Sequence, residues 1–309
     1  MNALLTAWRA SRLLPVGAVR VLASAGASFA WRRPGKAVRR LEDNLHRITG
    51  LEDDALRALS KESLQSVSRY YAEALTLDRF STSQVDARVR MEGYEGVKDL
   101  LSTTDRGVVA VLSHSGNWDL VGAYASPRII PVTAVAEILK PREMYEQFVQ
   151  MREGVGIHVL GHEGGSTFRE LIRIAKRERT LICLLSDRDL SGSGIEVEMW
   201  GHGVKVAPGP AALALAADVP IVPVYTHYER LSGERRRAAG SPWGVVLRFG
   251  EAIEPGTVEG EREDRVGRLS QLWATWMADQ ISGHPEDWHM MQRFGWVSED
   301  ARASAGGSS

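Results

Sequence analysis

A chain of 309 residues, 44% hydrophobic and 25% charged, has ample apolar content for a large core, and its ordinary composition excludes collagen-like, disulfide-scaffold and wholly disordered classes. The net charge of −1 conceals an asymmetry: residues 1–40 carry eight Arg or Lys and no Asp or Glu, leaving 30 basic and 39 acidic groups on the other 269 residues. A basic arm on an acidic body points to an anionic surface as partner, and a single cysteine, Cys183 in an apolar run, excludes an intrachain disulfide and fits a reducing cytoplasm.

Within the arm, Leu13 to Val19 and Val21 to Trp31 are uncharged, but neither reaches the roughly 18 residues of a spanning helix, and Pro15 and Arg20 interrupt the combined run. Ala23-Ser24-Ala25 mimics a signal cleavage site, yet Arg20 falls inside the would-be apolar region. What remains is an interfacial amphipathic segment with Trp8 and Trp31 as headgroup anchors, the alternative being a helical hairpin packed on the body. The expected organisation is a membrane-association arm over 1–48, an α/β domain over 49–297 and a disordered tail over 298–309.

Helical periodicity runs over Lys36 to Ile48 and Glu52 to Leu77, split by Thr49-Gly50, with Tyr70 and Tyr71 expected in the core. A short strand at Val89 to Gly93 and a helix at Tyr94 to Leu101 follow. Then strand and helix signals alternate. Strands are predicted at Val108 to Leu112, Ile129 to Ala136, Ile157 to Leu160, Thr180 to Ser186, Ile195 to Trp200, Ile221 to Thr226 and Val245 to Phe249. Helices are predicted at Pro141 to Glu153, Ser166 to Glu178, after Pro208-Gly-Pro210 and at Glu263 to Ile281. This alternation argues an α/β fold, a mostly parallel central sheet with helices on both faces.

The most informative stretch is Gly107-Val-Val-Ala-Val-Leu-Ser-His114-Ser-Gly-Asn117-Trp-Asp119. Its unbroken apolar run is that of a strand buried on both faces, and it feeds a polar turn and then a helix. Such a turn lies at the carboxyl edge of the sheet, where open α/β folds bind ligands, so His114 and Asp119 should share one crevice. The equally spaced His158 and Glu163 are a decoy, because His158 sits inside a strand. His158 and His162 have the spacing of helical metal ligands, but Gly161, Gly164 and Gly165 break any helix there, so no metal site is expected. A second apolar strand ends in Ser186-Asp187-Arg188, which brings Asp187 to the same edge, either to orient the imidazole or to cap a turn. Glu137 closes a third strand and Arg152 ends the next helix, so the two could form an ion pair or clamp an anionic substrate. No nucleophile elbow, Walker loop, Rossmann fingerprint or spaced cysteine set is present, and Ser115 is poorly placed as a nucleophile.

His114-Ser-Gly-Asn117-Trp-Asp119 resembles the His-x4-Asp motif of the lipid A late acyltransferases and phosphatidylinositol mannoside acyltransferases, within the lysophospholipid acyltransferase class. Arg33-Pro-Gly35 with Arg39-Arg-Leu-Glu-Asp-Asn44, Val135-Ala-Glu137, Leu185-Ser-Asp187-Arg-Asp-Leu190, Gly194-Ile-Glu-Val197, Ala207-Pro-Gly-Pro-Ala211 and His284-Pro-Glu-Asp-Trp-His289 are similar to blocks of the mannoside branch, in order from about residue 30 to 295. The resemblance implies transfer of a fatty acyl group, palmitoyl, from acyl-CoA to a mannose hydroxyl of an anionic glycophospholipid at the cytoplasmic face of the plasma membrane. It implies His114 as general base, Asp119 as motif acid and Asp187, where the family often has Glu, as the carboxylate supporting His114. It further implies Glu137, Arg152, Arg188 and Asn117 as substrate-binding residues, acyl-CoA as co-substrate with no other cofactor, and no nucleic-acid partner. Backbone N–H groups after Ser115 are expected to hold the oxyanion. The rival readings are a lipid A precursor acylated from acyl carrier protein, a non-catalytic lipid-binding module and a thioesterase-like hydrolase. The sequence carries no signal for an oligomeric state.

Overall fold

The computed structural model describes residues 3–138, 140–189 and 192–298, so the expected tail over 298–309 lies almost wholly outside the described residues. Four helices come first: α1 (Ala3–Ser11), α2 (Val16–Arg32), α3 (Lys36–Thr49) and α4 (Asp53–Ala74). Gly50, left-handed at φ 67°, ends α3. Helices α2 and α3 both pack on α4 around Leu41, Leu45 and Leu64, tying the arm to the body.

The arm presents a different apolar set to solvent from the one expected. Trp8 is only 3% exposed and meets Phe148 edge-on with ring centroids 4.8 Å apart, because a ring of that size gains more from core burial than from a rim position. Trp31 donates its indole N–H to the Arg57 carbonyl at 2.9 Å and lies beneath the Arg57 and Lys61 cations. The two tryptophans are therefore structural. Leu13 (86% exposed), Val21 (68%), Leu22 (60%) and Phe29 (61%) form the exposed apolar face instead. No helix among the described residues is long and apolar enough to cross a membrane.

The body continues with α5 (Thr82–Arg88), β1 (Val89–Glu92), α6 (Lys98–Thr103), β2 (Val108–Leu112) and α7 (Trp118–Arg128). Next come β3 (Val132–Ala136), α8 (Arg142–Gly154), β4 (Ile157–Gly161), α9 (Gly165–Arg177) and β5 (Leu181–Leu185). The chain closes with β6 (Ile195–Met199), β7 (His202–Val206), α10 (Gly209–Ala217), β8 (Ile221–Arg230), α11 (Gly233–Ala239), β9 (Trp243–Phe249) and α12 (Arg262–Gly283). Seven strands form one sheet in the order β1-β9-β8-β2-β5-β3-β4, parallel at every pairing except β8 with β9.

Alternate sheet residues feed two cores, as parallel strands covered on both faces require. Val108, Ala110 and Leu112 face the core with α7 and α8, whereas Val109 and Val111 face the core with α9, α10 and α12. The strand expected at Ile195 to Trp200 does not join the main sheet. It pairs antiparallel with β7 as a separate hairpin that buries Val197 and Met199 in the second core.

Candidate active site

Register places the central pair. Strands β2 and β5 run in parallel with Leu112 opposite Leu185, so the residues two further along each strand, His114 and Asp187, leave the sheet side by side. The His114 ring nitrogen Nδ1 and Asp187 Oδ1 are 2.6 Å apart, and the His114 backbone N–H donates to Asp187 Oδ2 at 3.0 Å. The shorter Asp side chain therefore reaches the imidazole directly. With Nδ1 as donor, the neutral ring carries its lone pair on Nε2, the arrangement a general base requires. Asp187 is wholly buried, and burial opposes its charge. His114 together with the Trp288 indole N–H, 3.0 Å from Oδ2, outweighs that cost and holds the carboxyl below its ordinary range.

Asp119 takes a different partner. Its two oxygens accept from Arg152 Nε at 2.6 Å and Nη2 at 3.3 Å, and Tyr70 donates to Oδ2 at 2.9 Å. Of the two roles open to Arg152 and Glu137, the mutual ion pair is replaced by a fork of Arg152 on Asp119, since a buried carboxylate gains more from a bidentate guanidinium than an exposed one does. Asp119 and His114 line the same cavity, together with Arg152, Glu137 and Arg188, but Asp119 fixes the neighbouring wall and makes no hydrogen bond to His114.

Asn117 is not on that cavity. It is 1% exposed; its Oδ1 caps α7 by accepting from the Leu120 N–H at 2.9 Å, and its Nδ2 donates to Glu73 at 2.8 Å. A substrate contact is therefore corrected to a structural role. Asn117→Ala loses both the cap, about 1 kcal/mol, and a hydrogen bond to a buried carboxylate, about 1.5–3 kcal/mol. Urea unfolding should register a loss of at least 2 kcal/mol on that estimate, and an unchanged midpoint would contradict it.

Two backbone N–H groups of the turn ahead of α7 are committed within the fold. Ser115 N–H donates to the Ser113 carbonyl at 2.8 Å and Gly116 N–H to the Asp287 carbonyl at 3.0 Å. Gly116 has φ 57°, and a Cβ there would stand 2.6 Å from the Thr226 carbonyl oxygen, so this turn needs glycine.

The segment His284 to His289 is the rear wall of the site. Trp288 braces Asp187, the His289 N–H donates to the His114 carbonyl at 2.7 Å, and Asp287 accepts from Ser66 Oγ at 2.5 Å and from the Tyr228 N–H at 2.6 Å. Burial raises the Asp287 carboxyl to about 6. His289 lines the cavity as well, but burial, with Arg69 and His114 adding to it, lowers its pKa to about 3. A base that weak is a poor proton acceptor near neutral pH.

Behind His114 the cavity, about 370 Å3 in volume, runs between the sheet and helices α7 and α8. Most of its wall is apolar, including Leu112, Phe148, Ile157, Leu181 and Leu247. Cys183 lies on this wall, and burial pushes its thiol up to about 12, so it is an apolar surface and not a nucleophile. An apolar slot with a base–carboxylate pair at its polar mouth is suited to holding an acyl chain with its carbonyl at His114.

Residues 2–294 match the family model of the bacterial lipid A biosynthesis acyltransferases. The chain belongs to that family of acyl-transferring enzymes, which act with an acyl donor and a lipid acceptor. A protein of Mycolicibacterium smegmatis named phosphatidylinositol mannoside acyltransferase is 32% identical over 308 residues, covering 97% of this chain and 93% of the relative. A Mycobacterium tuberculosis protein of the same name is 31% identical over 288 residues, covering 92% and 85%. A solved 1-acyl-sn-glycerophosphate acyltransferase from Thermotoga maritima covers 81% of this chain and 93% of its own at 15% identity and a TM-score of 0.35, too slight a likeness to bear on mechanism.

Proposed function

We propose that this enzyme moves a palmitoyl group from acyl-CoA to a mannose hydroxyl of a phosphatidylinositol mannoside, at the cytoplasmic face of the plasma membrane. The observation that carries the reading is the Asp187–His114 pair beside a cavity whose wall is mostly apolar. The name shared by relatives at 31–32% identity supports the choice of acceptor.

In this mechanism Nε2 of His114 accepts the hydroxyl proton as that oxygen attacks the thioester carbonyl. The tetrahedral intermediate collapses, the C–S bond breaks, and the proton on His114 is available to the departing CoA thiolate, which needs little acid help. Asp187 stabilises the imidazolium formed between the two steps. Glu137 and Arg188, on the cavity wall by the mouth, meet the polar parts of the substrates. The reaction calls for no cofactor beyond acyl-CoA, because the thioester already carries the activated acyl group. The exposed Leu13, Val21, Leu22 and Phe29, with Arg32 and Arg33 at the end of α2, supply the apolar and cationic contacts of a membrane-surface arm.

Radiolabelled palmitoyl-CoA supplied with either a phosphatidylinositol mannoside or a lipid A precursor tests the acceptor. Label is expected on the mannoside. Transfer to the lipid A precursor, free palmitate without an acceptor, or binding without thioester consumption would each replace this reading by another.

A further inference from the structure

A second cavity, of about 570 Å3, is bordered by Lys61, Gln65 and Arg69 of α4, which fall on a different face of that helix from the Val67, Tyr70 and Tyr71 of the catalytic cavity. Trp243 forms part of its wall. The Arg69 guanidinium lies 3.5 Å from the centroid of the Trp243 ring and 4.4 Å from that of Tyr228, while the Arg230 guanidinium lies 3.9 Å from the same Trp243 ring. Among the described residues neither guanidinium forms a hydrogen bond or an ion pair; both stack on the Trp243 ring.

Two cations on one indole repel each other. Burial pulls Arg69 below its ordinary value and Arg230 adds to the effect, against Tyr228, Asp287 and Glu73. The nearby carboxylates are largely committed elsewhere. Asp287 holds Ser66 and the Tyr228 N–H, Glu73 holds Arg88 and Asn117, and Glu286 stands 3.5 Å from His284, which leaves Glu62 at the cavity. An anion with several oxygens is what this arrangement lacks, and phosphate oxygens match paired guanidinium forks.

The cavity also adjoins the arm. Gln65 donates to the Ser24 carbonyl at 3.1 Å and to Ser28 Oγ at 3.0 Å, both on α2, and Lys61 lies 5.3 Å from the Trp31 ring centroid. With the exposed apolar residues of α2 set into a bilayer, this cavity stands beside the layer of headgroup phosphates.

We propose that the cavity is a second lipid site, separate from the catalytic one, in which Arg69 and Arg230 clamp the phosphodiester of an anionic phospholipid headgroup. The choice of a lipid phosphate over a free one rests on the membrane-surface reading of the arm. Asp287 and Ser66 line this cavity and also brace the rear wall of the catalytic site, so an occupied site steadies that wall.

Calorimetric titration of the full chain with glycerophosphoglycerol, the soluble headgroup, and with inorganic phosphate tests the site without requiring turnover. Failure of acyl transfer and failure of this site are therefore separable. Glycerophosphoglycerol is expected to bind, more weakly as salt rises, and about tenfold more weakly in Arg69→Gln or Arg230→Gln, each of which removes one charge-assisted contact. Arg230 has an exposed side chain, so Arg230→Gln keeps the test decisive if Arg69→Gln fails to fold. The same variants should lose affinity for phosphatidylglycerol vesicles while binding phosphatidylcholine vesicles as the parent does. No binding of glycerophosphoglycerol, unchanged affinity in Arg230→Gln, or binding of inorganic phosphate with the headgroup excluded would overturn the proposal.

Discussion

Asp187→Asn is expected to lower the turnover of acyl transfer by about 10²–10⁴-fold in a protein that still folds. The reason lies in the donors around this carboxylate. Oδ2 accepts both the His114 backbone N–H and the Trp288 indole N–H, each at 3.0 Å, while Oδ1 faces His114 Nδ1. Asparagine has a single acceptor oxygen, and the two fixed donors claim it. Its amide NH2 then faces Nδ1, which must become an acceptor, and the neutral ring carries its proton on Nε2. The base is lost through its tautomer with little change in packing. Rate measurements at saturating acyl donor, with circular dichroism to confirm folding, check this. A variant within a factor of two of the parent would remove Asp187 from the mechanism.

The largest expected loss of stability comes from a residue far from the mouth of the cavity. Arg88 and Glu73 form an ion pair with side chains 0% and 1% exposed. Glu73 also accepts from Asn117 at 2.8 Å and from Tyr228 at 3.2 Å, and Arg88 Nε donates to the Trp243 carbonyl at 3.1 Å. This hub joins α4, α5, β8 and the start of α7, so it fixes where the helix after His114 begins. Arg88→Met leaves the Glu73 carboxylate buried without its cation, at a cost of about 3–5 kcal/mol. Urea unfolding should show that loss, and the double variant Arg88→Met with Glu73→Gln should recover part of it, because the uncompensated charge is gone. Equal stability of the single and double variants would contradict this account.

The sequence carried the parts of this molecule that have local signatures. The unbroken apolar run from Val108 to Leu112 and the capping residue Asn117 located strand, turn and helix, and the similar run ending at Leu185 brought Asp187 to the same edge. Contacts between residues distant in the chain have no periodicity to read. Asp119 is bound to Arg152, 33 residues on, and to Tyr70, 49 residues back. The role of His284 to His289 depends on a loop returning behind β2 and β5, which no local pattern encodes. The strand His202–Val206 was missed because only Val204 and Val206, on either side of Lys205, carry its alternation and Gly203 weakens the signal, and the burial of Trp8 depends on Phe148 in a helix formed much later in the chain.

In the proposed mechanism Nε2 of His114 removes the proton from the acceptor hydroxyl. The turnover number for palmitoyl transfer by a folded His114→Ala protein tests it most directly. A fall of about 10²–10⁴-fold is expected, with the melting temperature largely preserved, since the ring is part-exposed on the cavity wall. Turnover equal to that of the parent protein would contradict it.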